Sequence, residues 1–309
     1  MLRQVLSTVA ESRRLERLVS TMPVSSSIVA RYVAGETPDE AVQASRQLVD
    51  ADLRVSLDHL GEHTGDRRQA ETITQAYVTV VDRLRRAGLT WATEVSVKAS
   101  AVGQTLGADG EKIAVDNVRE ICQAARQAKT TVTLDMEDHS TVDSTLSILR
   151  TVREDFPETG AVVQAYLYRS ESDCHDLAYE GSRVRLCKGA YSEPESVAYR
   201  RHADVDRAYV RCLKILLAGP GYPMVATHDR RLVEIAGALA TRYGRTAGTY
   251  EYQMLYGMRP AEQRRLASMG ETVRVYVPYG SQWYPYLMRR LAERPANLGL
   301  FLRSLVTRS

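Results

Sequence analysis

Residues 131–167 read TVTLDMEDHSTVDSTLSILRTVREDFPETGAVVQAYL, and the pattern of apolar residues changes twice along them. TVTLDME is a short β-branched run, TVDSTLSILRTVRE carries apolar residues at helical spacing, and AVVQAYL is β-branched again. Two strands joined through a helix of this length run parallel, because a hairpin joins only antiparallel neighbours. The same alternation extends in both directions. LRVSLDHL and EVSVKAS come before it, and RVRLCKG, PMVATHD, GTYEYQML and TVRVYVPY come after it. Amphipathic segments such as RRQAETITQAYVTVVDRLRRAG, AVDNVREICQAARQA and VAYRRHADVDRAYVRCLKILLAG lie between the runs. Eight strand–helix units predict a (β/α)8 barrel. A doubly wound open sheet is the alternative, but no G-x-G-x-x-G or G-x-x-x-x-G-K-[ST] follows any run.

Before the first run, Leu2, Val5, Leu6 and Val9 recur at helical spacing, and a second helical pattern begins near Pro38. The organisation expected is a helical arm over residues 1–50 and a catalytic barrel over residues 51–309. The 309 residues are 44% apolar, enough for one large core. The net charge of +3 is spread without blocks, which argues against nucleic acid as a partner. Cys122, Cys174, Cys187 and Cys212 form no C-x-x-C pair, so a reducing cytoplasm is expected, without disulfides or a zinc site. No window is apolar enough to span a bilayer, and the N-terminus lacks the apolar stretch of a signal peptide.

In a barrel the site lies where the strands end, so polar residues at those ends are the candidates. They are Lys98, Asp135, Glu137, Gln164, Arg185, Lys188, Thr227, His228, Glu251, Gln253 and Tyr276. Lys98, Arg185 and Lys188 face only two or three acids of this set, before Arg289 and Arg290 further along the chain are added, and this predicts an anionic ligand. After the last run, Tyr286, Arg289, Arg290 and Glu293 share one helical face, with Arg289 and Glu293 at i, i+4. A helix so soon after the last strand is expected to cross the barrel mouth, its arginines holding a carboxylate and Glu293 bracing them. His59 and His63 share metal-ligand spacing but lack a partner motif, so no metal is expected. His139 reads as a neighbour of a helix cap at Ser140 or Thr141.

In series, VSVKAS, TLDME, RLCKGAY, ATHD, YEYQMLYGM and RVYVPYG…YLMRRLAER resemble the proline dehydrogenases. The resemblance covers roughly residues 50 to 294 and implies a distorted (β/α)8 barrel that holds FAD without a Rossmann fold, its last helix over the mouth. It implies oxidation of L-proline to Δ1-pyrroline-5-carboxylate by hydride transfer from C5 to flavin N5, with a membrane quinone as acceptor and a peripheral membrane contact. Residue by residue, Arg289, Arg290 and Lys98 match the carboxylate-binding cations, and Glu293 matches the brace. Asp135, Tyr191, Leu255 and Tyr276 match the residues that enclose the ring. Arg185 matches the arginine near flavin N5, while Gln164, Cys187, Lys188, Thr227, His228 and Arg290 fall on the FAD side. Ser192 departs from the tryptophan that many relatives carry, at the adenine end. Two other readings rest on the same residues: a Schiff-base aldolase with Lys98 or Lys188 as nucleophile, and a non-catalytic amino-acid-binding barrel.

Overall fold

The structure, a computed structural model, describes residues 29–62 and 64–292. The predicted helix over the first residues, His63 and Glu293 lie outside them. Helix α1 (Pro38–Val49) begins at Thr37 with a capping box: Thr37 Oγ1 accepts from the Glu40 backbone N–H, and Glu40 reaches back to the Thr37 N–H. The barrel then runs β1 (Arg54–His59), α2 (Arg67–Arg86), β2 (Thr93–Lys98), α3 (Gly110–Gln127), β3 (Val132–Asp135), α4 (Val142–Asp155) and β4 (Ala161–Gln164). It continues through α5 (Ser170–Leu177), β5 (Arg183–Cys187), α6 (His202–Ala218), β6 (Tyr222–Ala226), α7 (Arg230–Arg242), β7 (Glu251–Leu255), α8 (Pro260–Ser268), β8 (Val273–Tyr279) and α9 (Trp283–Ala292). Each of the eight β-branched runs is a strand, and every strand pair is parallel.

The strand order β3-β2-β1-β8-β7-β6-β5-β4 wraps the sheet almost into a closed barrel. Its seam lies between β3 and β4, where the Leu134 N–H donates to Gly160 O at 2.9 Å and the Gly160 N–H to Val132 O at 2.8 Å. A Cβ on Gly160 would sit 2.5 Å from Thr133 Oγ1, so a side chain there would push the seam apart. The helices bury one stripe each against the outside of the sheet. In α2 the stripe is Ala70, Ile73, Thr74, Tyr77, Val80, Val81 and Leu84, the i, i+3, i+4 pattern of an amphipathic helix.

The inside of the barrel is not aliphatic. From β5, Arg185 touches Ser56 of β1, Ser96 and Glu94 of β2, Asp135 of β3 and Gln253 of β7, a set that only an inward-pointing side chain can reach. Below it Glu94 pairs with Arg183 at 2.5 Å, and Arg274 pairs with Glu251 at 2.7 Å. Charges this deep survive only when paired and hydrogen-bonded. The last helix sits over one side of the mouth: Trp283, Tyr284, Tyr286, Leu287 and Met288 of α9 pack with Leu60 beyond β1, Met258 beyond β7, and Tyr32 and Val33. Leu255, the last residue of β7, packs against the same cluster.

Candidate active site

The strand ends that looked chemically active converge as the barrel topology requires. At the end of β2, Lys98 donates to both carboxylate oxygens of Asp58 on β1, each at 2.7 Å. Burial is the largest influence on Lys98 and would lower its pKa, but Asp58, Glu62 and Asp135 outweigh burial and raise it. Lys98 therefore stays an ammonium, a poor nucleophile for Schiff-base chemistry. Asp58 is itself raised, because burial outweighs the attraction of Lys98. Asp135 on β3 takes Arg185 at 2.5 Å and Ser96 at 2.8 Å on one oxygen, and the Tyr276 hydroxyl at 2.8 Å on the other. The Arg185 guanidinium also lies 5.3 Å from the centre of the Tyr276 ring. A residue assigned by resemblance to the cofactor and two assigned to the substrate thus form one hydrogen-bonded unit.

The excess of positive charge expected from the strand ends does not exist. Lys98 has Asp58, Arg185 has Asp135 and Glu94, and Lys188 has Asp206 at 2.5 Å and Asp229 at 3.2 Å. The neutralising acids come from another strand, from the first half of β2, from α6 and from the N-cap of α7, so a survey of strand ends missed most of them. Glu94 illustrates the balance: burial would raise its pKa, yet Arg274, Arg183 and Arg185 hold it down at about 2.

Within the described residues, Arg289 has a carboxylate partner that the sequence did not suggest. Arg289 donates to Glu62 through two nitrogens, at 2.6 and 3.2 Å, so a carboxylate from the β1–α2 loop grips its fork. Glu293, the expected brace, lies outside the described residues. Arg290 places its guanidinium 5.5 Å from the Tyr286 ring centre. Tyr191, in the β5–α6 connection, is within electrostatic reach of Glu62, Glu137 and Arg289; burial, reinforced by the two acids, raises its pKa. Glu62, Lys98, Tyr191 and Arg289 therefore surround one polar corner under α9.

The remaining candidates line the mouth over β4 to β7. Gln164 donates to Glu137 O at 2.6 Å, and Glu137 is in turn held by Ser100 at 2.6 and 3.1 Å. Thr227 Oγ1 accepts from the Asp229 N–H at 3.1 Å. His228 Nε2 accepts from the Leu255 N–H at 2.9 Å, which fixes that nitrogen as the unprotonated one and ties His228 to Leu255. Cys187 is half-buried, and burial pushes its thiol up to about 11, so it remains neutral. Beside His139, Asp138 caps a short 3-10 turn by accepting from the Ser140 N–H at 2.9 Å, and Thr141 then stands at the N-cap position of α4 without a side-chain cap bond. Among the described residues no cluster of three or more His, Cys, Asp or Glu could hold a metal. Among them also no helix is long and apolar enough to cross a membrane. Asp58 lies one residue before the end of β1, and a search of the end of LRVSLDH would have found it. Glu62 carries no such signal, because it lies three residues beyond β1.

The proline dehydrogenase family model matches residues 41–302. Proline dehydrogenase 1 of Bacillus subtilis (strain 168) is 34% identical over 306 residues, covering 99% of each chain. Proline dehydrogenase of Deinococcus radiodurans is 36% identical over 306 residues, 98% of this chain and 97% of the relative. Among solved structures, proline utilization A from Bdellovibrio bacteriovorus inactivated by N-propargylglycine superposes with a TM-score of 0.81 at 26% identity over 92% of this chain. This chain spans about a third of that protein, 34% of its length. The fold, the polar corner under α9 and these matches agree: the chain belongs to the proline dehydrogenase family.

Proposed function

We propose that the protein oxidises L-proline to Δ1-pyrroline-5-carboxylate with FAD as its cofactor. The observation that carries this reading is the Arg289 fork, oriented by Glu62 at 2.6 Å, with Glu62 also within electrostatic reach of Lys98. Glu62 uses two of the five guanidinium N–H groups, so the fork keeps donors for the carboxylate of an amino acid. Lys98, kept charged by Asp58, adds a second cation to that corner. Tyr276, fixed by Asp135, and Leu255, fixed by His228, would wall the ring and exclude water.

The residues along β4 to β7 fit a flavin. Gln164, Arg185, Lys188 and Thr227 offer an amide, a guanidinium, an ammonium and a hydroxyl along one side of the mouth, donors that suit the acceptor-rich ring edge and the pyrophosphate. Gly189, at φ +111°, has the Tyr166 ring where a Cβ would be, so this turn after β5 admits only glycine. Bound FAD would supply the two-electron redox chemistry, accepting hydride from C5 of proline. Arg185 would then place positive charge where negative charge develops. A membrane quinone as final acceptor, reached by peripheral contact with the bilayer, rests on the family resemblance. Turnover of L-proline with an artificial electron acceptor tests the reading. Borohydride trapping of a carbonyl substrate on Lys98 or Lys188, with no flavin spectrum, would replace it with the aldolase alternative.

A further inference from the structure

The geometry points to Glu193 as a positioning residue for the substrate site, acting through Tyr166 and Tyr191; this rests on the proline-oxidising reading above. Glu193 lies in the β5–α6 connection between exposed Ser192 and Pro194, yet is itself only 5% exposed. One of its oxygens accepts from the Tyr166 hydroxyl at 2.9 Å and from the His139 backbone N–H at 3.0 Å, and the other meets His139 Nδ1. Withdrawing a carboxylate from water is unfavourable unless its lone pairs are met, and here three donors meet them. In doing so they join three successive loops of the mouth, for His139 follows β3, Tyr166 follows β4 and Glu193 follows β5.

What this junction supports is the segment carrying Tyr191. The Tyr166 ring occupies the space beside Gly189 that a Cβ would need, and the Tyr166 N–H donates to Lys188 O at 2.9 Å. The Tyr199 N–H donates back to Tyr166 O at 2.8 Å, and the backbone N–H of Tyr191 approaches the same hydroxyl that Glu193 holds. Tyr166 is thus the floor beneath residues 188–191, and Glu193 fixes where that floor stands. Tyr191, two residues away, faces the polar corner of Glu62, Glu137 and Arg289 where the substrate carboxylate is proposed to bind. Glu193 touches no proposed reacting atom, so its influence should fall on binding and not on the chemical step.

The test compares Glu193→Ala, Glu193→Gln and Tyr166→Phe in the flavin-loaded enzyme. The readouts are kcat and KM for proline, thermal stability, and the Kd of a five-membered-ring carboxylate lacking the amine, followed by flavin absorbance. For Glu193→Ala, KM and Kd should rise about tenfold while kcat stays within about threefold, and Glu193→Gln, which keeps acceptor and shape, should recover most of the loss. A Glu193→Ala protein that melts earlier but keeps KM and Kd within about twofold has lost only a structural contact, and the proposal falls. It also falls if Glu193→Gln binds as poorly as Glu193→Ala. Should Glu193→Ala not fold, Tyr166→Phe decides, because it keeps the ring under Gly189 and removes one bond to Glu193; an unchanged KM overturns the proposal. A wild-type protein that neither binds the analogue nor oxidises proline defeats the functional reading instead, and this is seen before any variant is compared.

Discussion

Replacing Glu62 by Gln removes one charge from the Glu62–Arg289 pair while keeping the side chain's shape and one acceptor oxygen. The pair is neither superficial nor fully buried, with side-chain exposures of 22% for Glu62 and 31% for Arg289. Exposed pairs are worth about 0.2 to 1 kcal/mol, and breaking a buried one costs about 3 to 5 kcal/mol. This geometry therefore supports roughly 1.5 to 2.5 kcal/mol, or about ten- to seventyfold in kcat/KM if the fork is used in the transition state. With one acceptor left in place, the expected loss for Glu62→Gln is about tenfold. Arg289→Met should lose more, since it also removes the donors offered to the substrate carboxylate. Because both residues act through one fork, Glu62→Gln added to Arg289→Met should cost little further. Steady-state assays of the four proteins with proline and an artificial acceptor provide the cycle. A Glu62→Gln enzyme within twofold of wild type, or a double variant as poor as the product of the singles, would refute the argument that Glu62 orients the fork.

Three further outcomes follow from the site. Arg185→Ala should shift the reduction potential of bound flavin and also lower thermal stability, because it takes from buried Asp135 its paired guanidinium and from Glu94 one of three; an unaltered potential removes Arg185 from the flavin's neighbourhood. Tyr276→Ser should narrow the preference for L-proline over 4-hydroxyproline, mainly through lost efficiency with proline, by about 1 to 3 kcal/mol in the ratio of kcat/KM values; an unchanged ratio means that Tyr276 does not wall the ring. The third concerns acid. Burial, aided by Lys98, depresses His59 from 6.5 to about 4, so the stability it contributes is fully present above about pH 6.5 and is lost as pH falls towards about 4. His59→Asn should flatten the fall in melting temperature across that window, by at most roughly 3 kcal/mol; an identical slope in both proteins would show that another group titrates there.

The sequence was informative wherever a signal is local. Each β-branched run became a strand because period-2 alternation and the intervening helices leave few other folds, and strand-end polarity led to Lys98, Asp135, Arg185 and Tyr276. Pairing was another matter. Glu94 and Arg183 are 89 positions apart, and Glu62 and Arg289 are 227 apart, so the charge balance could be judged only after the barrel had closed. The anionic-ligand argument from unpaired cations was therefore unsound, although Arg289 still offers donors through its own geometry. Asp58 escaped notice because LRVSLDH was read for its strand and not for its end. Glu193 was hidden in a loop, between exposed neighbours, and only the contacts across three loops distinguish it.

The central claim is that L-proline delivers its electrons to a flavin held in this barrel, and anaerobic mixing of the purified, FAD-loaded protein with L-proline tests it most directly. The account predicts bleaching of the oxidised flavin absorbance together with formation of Δ1-pyrroline-5-carboxylate, and loss of this bleaching at the same proline concentration in Arg289→Met. A protein that holds FAD yet keeps its oxidised spectrum at saturating L-proline would contradict it.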